Sequence, residues 1–169
     1  MKMKQIRKNA FVKVSGDLIT RRDVIVWLRE LAGRCFTVIC VGGGEQINKA
    51  FNRLGIPRDF GPLGRRNRTF RERQLARNIL EKNQLKVQNA LADNGITAVV
   101  ILPVLDIGSV LCHVNGDVFI QTAYIGFDEL YVVTYESREA GKKKDFAHLP
   151  RVQVVSFPDK LPRRRRKAA

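Results

Sequence analysis

Apolar and polar positions change their period along this chain, and the changes divide it into alternating strands and helices. "AFVKVSG" (Ala10–Gly16) alternates and is β-branched, which predicts a strand ending at Gly16. Val24, Trp27, Leu28 and Leu31 recur at helical spacing, with a weak capping box at Thr20 and Asp23 before them and Gly33 as the expected end. "CFTVICV" (Cys35–Val41) is nearly all apolar, the pattern of a strand covered on both faces. Past three glycines, Ile47, Ala50, Phe51 and Leu54 share one side of a helix that closes at Gly55.

The second half repeats the alternation. "GIPRDFGPLGRR" reads as a Gly/Pro loop. Thr69 and Glu72 form a better capping box, opening a long helical region that "DNG" closes at Asp93–Gly95. "ITAVVILPVL" (Ile96–Leu105) predicts one more doubly buried strand, and "SVLCHV" (Ser109–Val114) a shorter one. Val118, Thr122 and Ile125 are helically spaced; "ELYVVTY" (Glu129–Tyr135) is a strand, followed by a basic loop and the strand "RVQVVSF" (Arg151–Phe157). Apolar strands separated by amphipathic helices predict an α/β fold, a mainly parallel sheet with helices on both faces. The expected organisation is one domain over residues 1–157 and a basic, disordered tail over 158–169.

Charge adds a constraint that the pattern does not carry. The formal net charge is +15, concentrated in the first ten residues, in "GRRNRTFRERQLAR" (Gly64–Arg77) and in "KLPRRRRKAA". Such a charge attracts phosphates, whether on nucleotides, nucleic acid or lipid, and also simply aids solubility. Neither an RRM-type aromatic motif nor a KH-type loop accompanies it. No apolar run approaches the roughly 18 residues of a membrane span, and no h-region follows the basic N-terminus. Cys35, Cys40 and Cys112 show neither metal nor redox spacing, so buried free thiols and a cytoplasmic location are expected.

Chemistry first enters at Gly42, Gly43 and Gly44. Three glycines between an apolar strand and a helix are either a flexible turn or a place where backbone must touch a ligand. In an open parallel sheet, ligands sit beyond the carboxyl ends of strands. Free N–H groups at a helix start favour an anion, and glycine removes the Cβ that would hold it away. Gly16 lies beside this loop if the first two strands are neighbours, and Lys13 then contributes a cation. The loop is neither G-x-G-x-x-G nor a P-loop.

The order of the motifs resembles the amino acid kinase superfamily over roughly Phe11 to Phe157. "FVKVSGDLI" (Phe11–Ile19) resembles its first strand, and "VGGGEQIN" (Val41–Asn48) its second signature, most closely in the acetylglutamate kinase form; uridylate kinases share the superfamily. "GRRNRT" falls where the family has an Arg-containing loop, and "HVNGD" (His113–Asp117) resembles its N-A-D motif. The resemblance implies a three-layer α/β/α sandwich and ATP-dependent phosphoryl transfer, with ATP and Mg2+ as cofactors, to a small anionic acceptor. It implies that Lys13 bridges the transferred group and that Gly16 approaches it. By the same resemblance Gly42, Gly43 and Gly44 would hold the acceptor, Arg66 or Arg68 would grip a distal acid group, and Asn115 would contact the acceptor. The resemblance further implies that Asp117 orients the catalytic lysines and that Thr134 stands at a nucleotide-binding position. Asp117 also reads as a first-turn helix acid, and His113 as a rim or core histidine.

This chain is shorter than that family at its C-terminal end, and the family's second catalytic lysine has no counterpart in a matching motif. Lys142, Lys143 and Lys144 are either a substitute cation or a solvated charge run. Three readings follow: a compact kinase, either alone or completing its site as a homo-oligomer; a degenerate member that binds an anion or nucleotide as a subunit or regulator; or a scaffold whose Arg163–Lys167 tail binds RNA.

Overall fold

The structure, a computed structural model, describes residues 7–61, 64–107 and 110–160. Its centre is a five-stranded sheet in which every neighbouring pair is parallel. Strand β1 (Asn9–Val14) lies in the middle, flanked by β2 (Phe36–Val41) and β8 (Glu129–Tyr135). The edges are β5 (Val99–Ile101) and β9 (Val152–Phe157). Helix α1 (Arg22–Arg34) joins β1 to β2; α2 (Gly44–Arg53) and the long α3 (Phe70–Asp93) lie between β2 and β5. Two short antiparallel pairs stand outside the sheet: β3 (Phe60–Gly61) with β4 (Gly64–Arg65), and β6 (Val104–Ile107) with β7 (Val110–His113). Helices α4 (Gly116–Ala123) and α5 (Glu136–Asp145) flank β8 in sequence.

The strand period of two sorts side chains into two cores. Ala10, Val12, Val14, Ile39, Val41, Tyr131 and Val133 pack with α1 and the second half of α3 on one face. Phe11, Cys40, Leu130 and Val132 pack with Ile120 and Ala123 of α4 on the other. This is the three-layer α/β/α arrangement. A third cluster, Ile47, Phe51, Ala76 and Leu80, fastens α2 to the first half of α3. Gly55 (φ +66°) and Gly95 (φ +64°) follow α2 and α3, in the left-handed region that helix ends use. Gly33 instead lies inside α1.

Several expectations need correction. The stretch 96–105 is not one strand: β5 holds three residues, and the chain leaves the sheet before Pro103, which has no N–H to continue a ladder. The basic loop after β8 is helix α5, which buries none of its residues and so leaves no apolar stripe to read. The loop at 55–66 contains the small β3–β4 pair. Helix α1 is preceded by Arg21 rather than capped by Thr20, while α3 is capped as expected, Glu72 N–H donating to Thr69 Oγ1 (3.2 Å). Cys35 and Cys40 are buried, but Cys112 is exposed because β7 belongs to a hairpin covered on one side only. Among the described residues no helix is long and apolar enough to cross a membrane. The tail beyond residue 160 lies outside the described residues.

Ile39 is fully buried in β2, one strand from the centre of the sheet. Ile39→Ala is expected to lower unfolding free energy by about 3 kcal/mol in urea denaturation, the transfer loss plus an unfilled cavity. A loss below about 1 kcal/mol would show that the core relaxes around the gap and is not packed as described.

Candidate functional site

A cleft of about 360 Å3 opens where β1 and β2 end. Parallel pairing brings both strand ends to one rim, and cross-bonds fix the two loops there. Gly42 N–H donates to Val14 O (2.9 Å), and Gln46 Nε2 donates to Gly16 O (3.0 Å). From α3, Asn83 Nδ2 donates to Gly42 O (3.1 Å). The loops touch so closely that a Cβ on Gly16 would sit 2.6 Å from Gly42 O.

The three glycines of the loop have different reasons to be glycine. A Cβ on Gly43 would lie 2.8 Å from Leu80 Cδ2 and 3.1 Å from Asn83 Nδ2, so that position is set by packing against α3. On Gly42 it would come 3.2 Å from Val14 O. Gly44 alone has open space, with nothing within 4 Å of a Cβ. It is also the first residue of α2, whose N-cap Gly43 supplies no side-chain acceptor. First-turn N–H groups without such a cap, together with the helix dipole, make a site for negative charge.

Opposite this helix start lies a cluster of charge. Lys13 points from β1 to the α4 side and is only 9% exposed. Its Nζ stands 2.8 Å from Asp117 Oδ1. Lys142 Nζ, from α5, stands 2.6 Å from the other oxygen of the same carboxylate and 3.0 Å from Asp145 Oδ2. Asp117 is held in the first turn of α4, its N–H bonded to the side chain of the N-cap Asn115 (3.1 Å). Burial alone would raise the pKa of Asp117, but the charge of Lys13 and hydrogen bonds from Lys13 and Lys142 outweigh it and hold the carboxyl below its ordinary value. Burial opposes the charge on Lys142 as well; its bond to Asp117 prevails, and the ammonium pKa is raised.

Lys13, Gly16, Gly42, Gly43, Gly44 and Asn115 thus line one cleft, with Asp117 behind Lys13. Arg66 and Arg68 do not line it. Arg68 is 79% exposed and paired with Asp59 (2.9 Å), and the Arg66 guanidinium packs on Gly61. Their neighbour Arg65 takes the inner place: its side chain lies over Phe60 (4.6 Å) and Phe51 (5.2 Å) and bonds Asn48. Burial, with the charge of Arg58, lowers its pKa. Its Nη1 is buried with no hydrogen-bond partner among the described residues. Thr134 is fully buried in β8 and stands apart from the cleft lining. The side chain of His113 and the Arg163–Lys167 run lie outside the described residues. Arg65, Arg138 and the pairing of Lys142 were not foreseeable from motifs. The register Phe60↔Arg65, which selects one arginine among several, comes from a pair of two-residue strands with no apolar period.

The glycine geometry separates folding from access. Gly43→Val is expected to destabilise the chain by about 1–3 kcal/mol through overpacking against Leu80. Gly44→Ala is expected to keep a near wild-type melting temperature while narrowing the cleft. Thermal melts of both variants check this, and the reverse order of stability would contradict it.

No protein-family model matches the chain, and no curated protein matches it. Among solved structures it is similar in fold to N-acetylglutamate synthase from Neisseria gonorrhoeae, determined with coenzyme A and L-arginine. The TM-score is 0.65 at 9% identity, over 88% of this chain and 56% of the synthase chain. The chain therefore spans little more than half of that structure's length, and the likeness is one of α/β/α fold.

Proposed function

We propose that the chain is an ATP-dependent phosphotransferase acting on a small anionic acceptor, a carboxylate or a phosphate. The observation that carries this reading is Asp117 holding two lysines, from elements distant in sequence, beside a glycine loop and an uncapped helix start. Phosphoryl transfer asks little covalent chemistry of a protein; it asks for positioning and for stabilisation of charge spread over phosphoryl oxygens. Lys13 and Lys142 supply cations for that purpose. The N–H groups at the start of α2 add oriented dipoles. Asp117 aims both ammonium groups, and its bond to Lys142 raises that lysine's pKa. Arg65, which lines the cleft, supplies a cation for a second acid group on the acceptor.

The donor set fits the phosphates of ATP, being N–H groups and cations. Mg2+ typically takes one or two carboxylates besides phosphate oxygens, and Asp17 and Glu45 line this cleft. Those two residues would hold it, and when bound it would neutralise phosphate charge. The fold neighbour is a synthase determined with coenzyme A, which makes acyl transfer a second reading. The paired lysines favour phosphoryl over acyl chemistry. A catalytically degenerate binder would take up the same anions without turnover.

Lys13→Ala and Lys142→Ala are each expected to reduce phosphoryl transfer on the order of a hundredfold or more. The assay follows 31P transfer from ATP in the presence of Mg2+ to acidic and acylated amino acids and to nucleoside monophosphates. Unchanged rates in both variants would remove the lysines from the chemistry. ATP binding without transfer to any acceptor would select the binding-only reading.

A further inference from the structure

Among the described residues three cations line the cleft, and the strand order spreads them along its rim. Arg65 stands on the β2 side against α2, where it bonds Asn48. Lys13 is on the central strand β1. Arg138 is on the β8 side, in the first turn of α5. Arg138 has no part in the Asp117 cluster, yet it is built into the site. Its guanidinium lies over the Tyr135 ring (5.5 Å). That ring is held by a bond from Tyr135 Oη to Asp17 O (3.3 Å) and carries Arg21 as well (5.7 Å). Arg21 is fixed in turn by Asp23 (2.5 Å). Among the described residues Arg138 pairs with Asp17 at 4.0 Å, the outer limit of an ion pair, and its charge also acts on Asp159, so the Asp17 contact does not saturate its donors. The cation–π contact places the half-exposed guanidinium over the ring and leaves its N–H fork available.

Arg138 also sits four residues before Lys142. On a helix that spacing places both side chains on one face, about 5–6 Å apart at Cβ. Lys142 is committed to Asp117 and so to the place where Lys13 acts. Arg138 therefore lies one helical turn from that place, on the side away from Arg65.

We propose that Arg138 binds the leaving phosphate of the donor, so that donors are selected by having two or more linked phosphates. The assignment rests on the phosphotransfer reading above. In the step it serves, an acceptor oxygen forms a bond to the terminal phosphorus. The bond from that phosphorus to the bridging oxygen breaks, and its electron pair stays on the bridging oxygen, now the terminus of the leaving diphosphate. No proton moves when the acceptor is an ionised carboxylate or phosphate. The leaving group gains negative charge as the bond breaks, and a planar guanidinium at its end stabilises that charge.

Calorimetric titration with ATP, inorganic tripolyphosphate, AMP and inorganic phosphate tests this on the full chain, each ligand with and without Mg2+. Arg138→Ala is expected to weaken ATP and tripolyphosphate about tenfold or more while leaving AMP and single phosphate within about twofold. Arg138→Lys is expected to recover only part of the loss, since an ammonium cannot reproduce the fork. Lys144→Ala, an exposed residue on the same helix, removes equal charge and is expected to match wild type. Equal weakening of all four ligands, or an equal loss in Lys144→Ala, overturns the assignment in favour of general electrostatics. Unchanged tripolyphosphate binding in Arg138→Ala, alongside lost binding in Lys13→Ala, overturns it while the phosphate site stands. Failure of the wild type to bind any of the four overturns both readings together.

Discussion

One carboxylate sets the condition for the rest of this site. Asp117 forms an ion pair with Lys13 of the central strand through one oxygen (2.8 Å) and accepts a hydrogen bond from Lys142 of α5 on the other (2.6 Å). Lys13 is nearly buried, and an ammonium there without a counter-charge would be strongly unfavourable. The pairing therefore fixes more than two side chains. It ties α4 and α5 to the end of β1, and α5 has little else to hold it. That helix buries no residue; it is attached by Lys142, by Glu139 to Ser156 (2.5 Å) and by Ser137 to Asp159 (2.5 Å). An element fastened by polar contacts, carrying both Lys142 and Arg138, makes the cleft depend on electrostatics more than on packing.

The opposite wall is built by packing. There Gly43 is set against Leu80 and Asn83, and Ile47 and Phe51 join Leu80 in a small apolar cluster. The site thus lies between a rigid side, where backbone N–H groups are presented by a packed helix, and a polar side, where cations are held by a shared acid. Oriented dipoles on the rigid side lose little on binding an anion, because they are already in place. Cations on the polar side can exchange part of their contact with Asp117 for contact with a ligand.

How much of this the sequence shows depends on whether a feature leaves a periodic trace. Strands β1, β2 and β8 and helices α1 to α4 are legible because each buries an apolar face, and β9 because its apolar residues are half-buried against the same cores. Placement of Lys13, Gly16, the glycine loop and Asp117 at one rim follows once the sheet is taken as parallel. Helix α5 is not legible, since Glu136–Asp145 buries nothing and its support is ion pairs between residues far apart in sequence. The split at Pro103 has a local cause, yet the apolar run on both sides of it conceals the change of partner from β2 to β7. Arg65 against Arg66 and Arg68 is a question of register in a two-residue pair, and residue type says nothing about it. The meaning of Gly43 is also tertiary: only the approach of α3 shows that its missing Cβ serves packing.

The site stands on Asp117 acting on the lysines as counter-charge rather than merely sitting near them. A double-mutant cycle with Lys142→Ala and Asp117→Ala, read from unfolding free energies at pH 7, measures this directly. The expected coupling is about 1 kcal/mol or more. Because the folded carboxyl pKa lies below its unfolded value of about 3.9, the coupling is complete well above that pH and is lost as pH falls through the folded value. Additivity at pH 7 within about 0.3 kcal/mol would mean that the carboxylate does not hold Lys142, and the site as described would not exist.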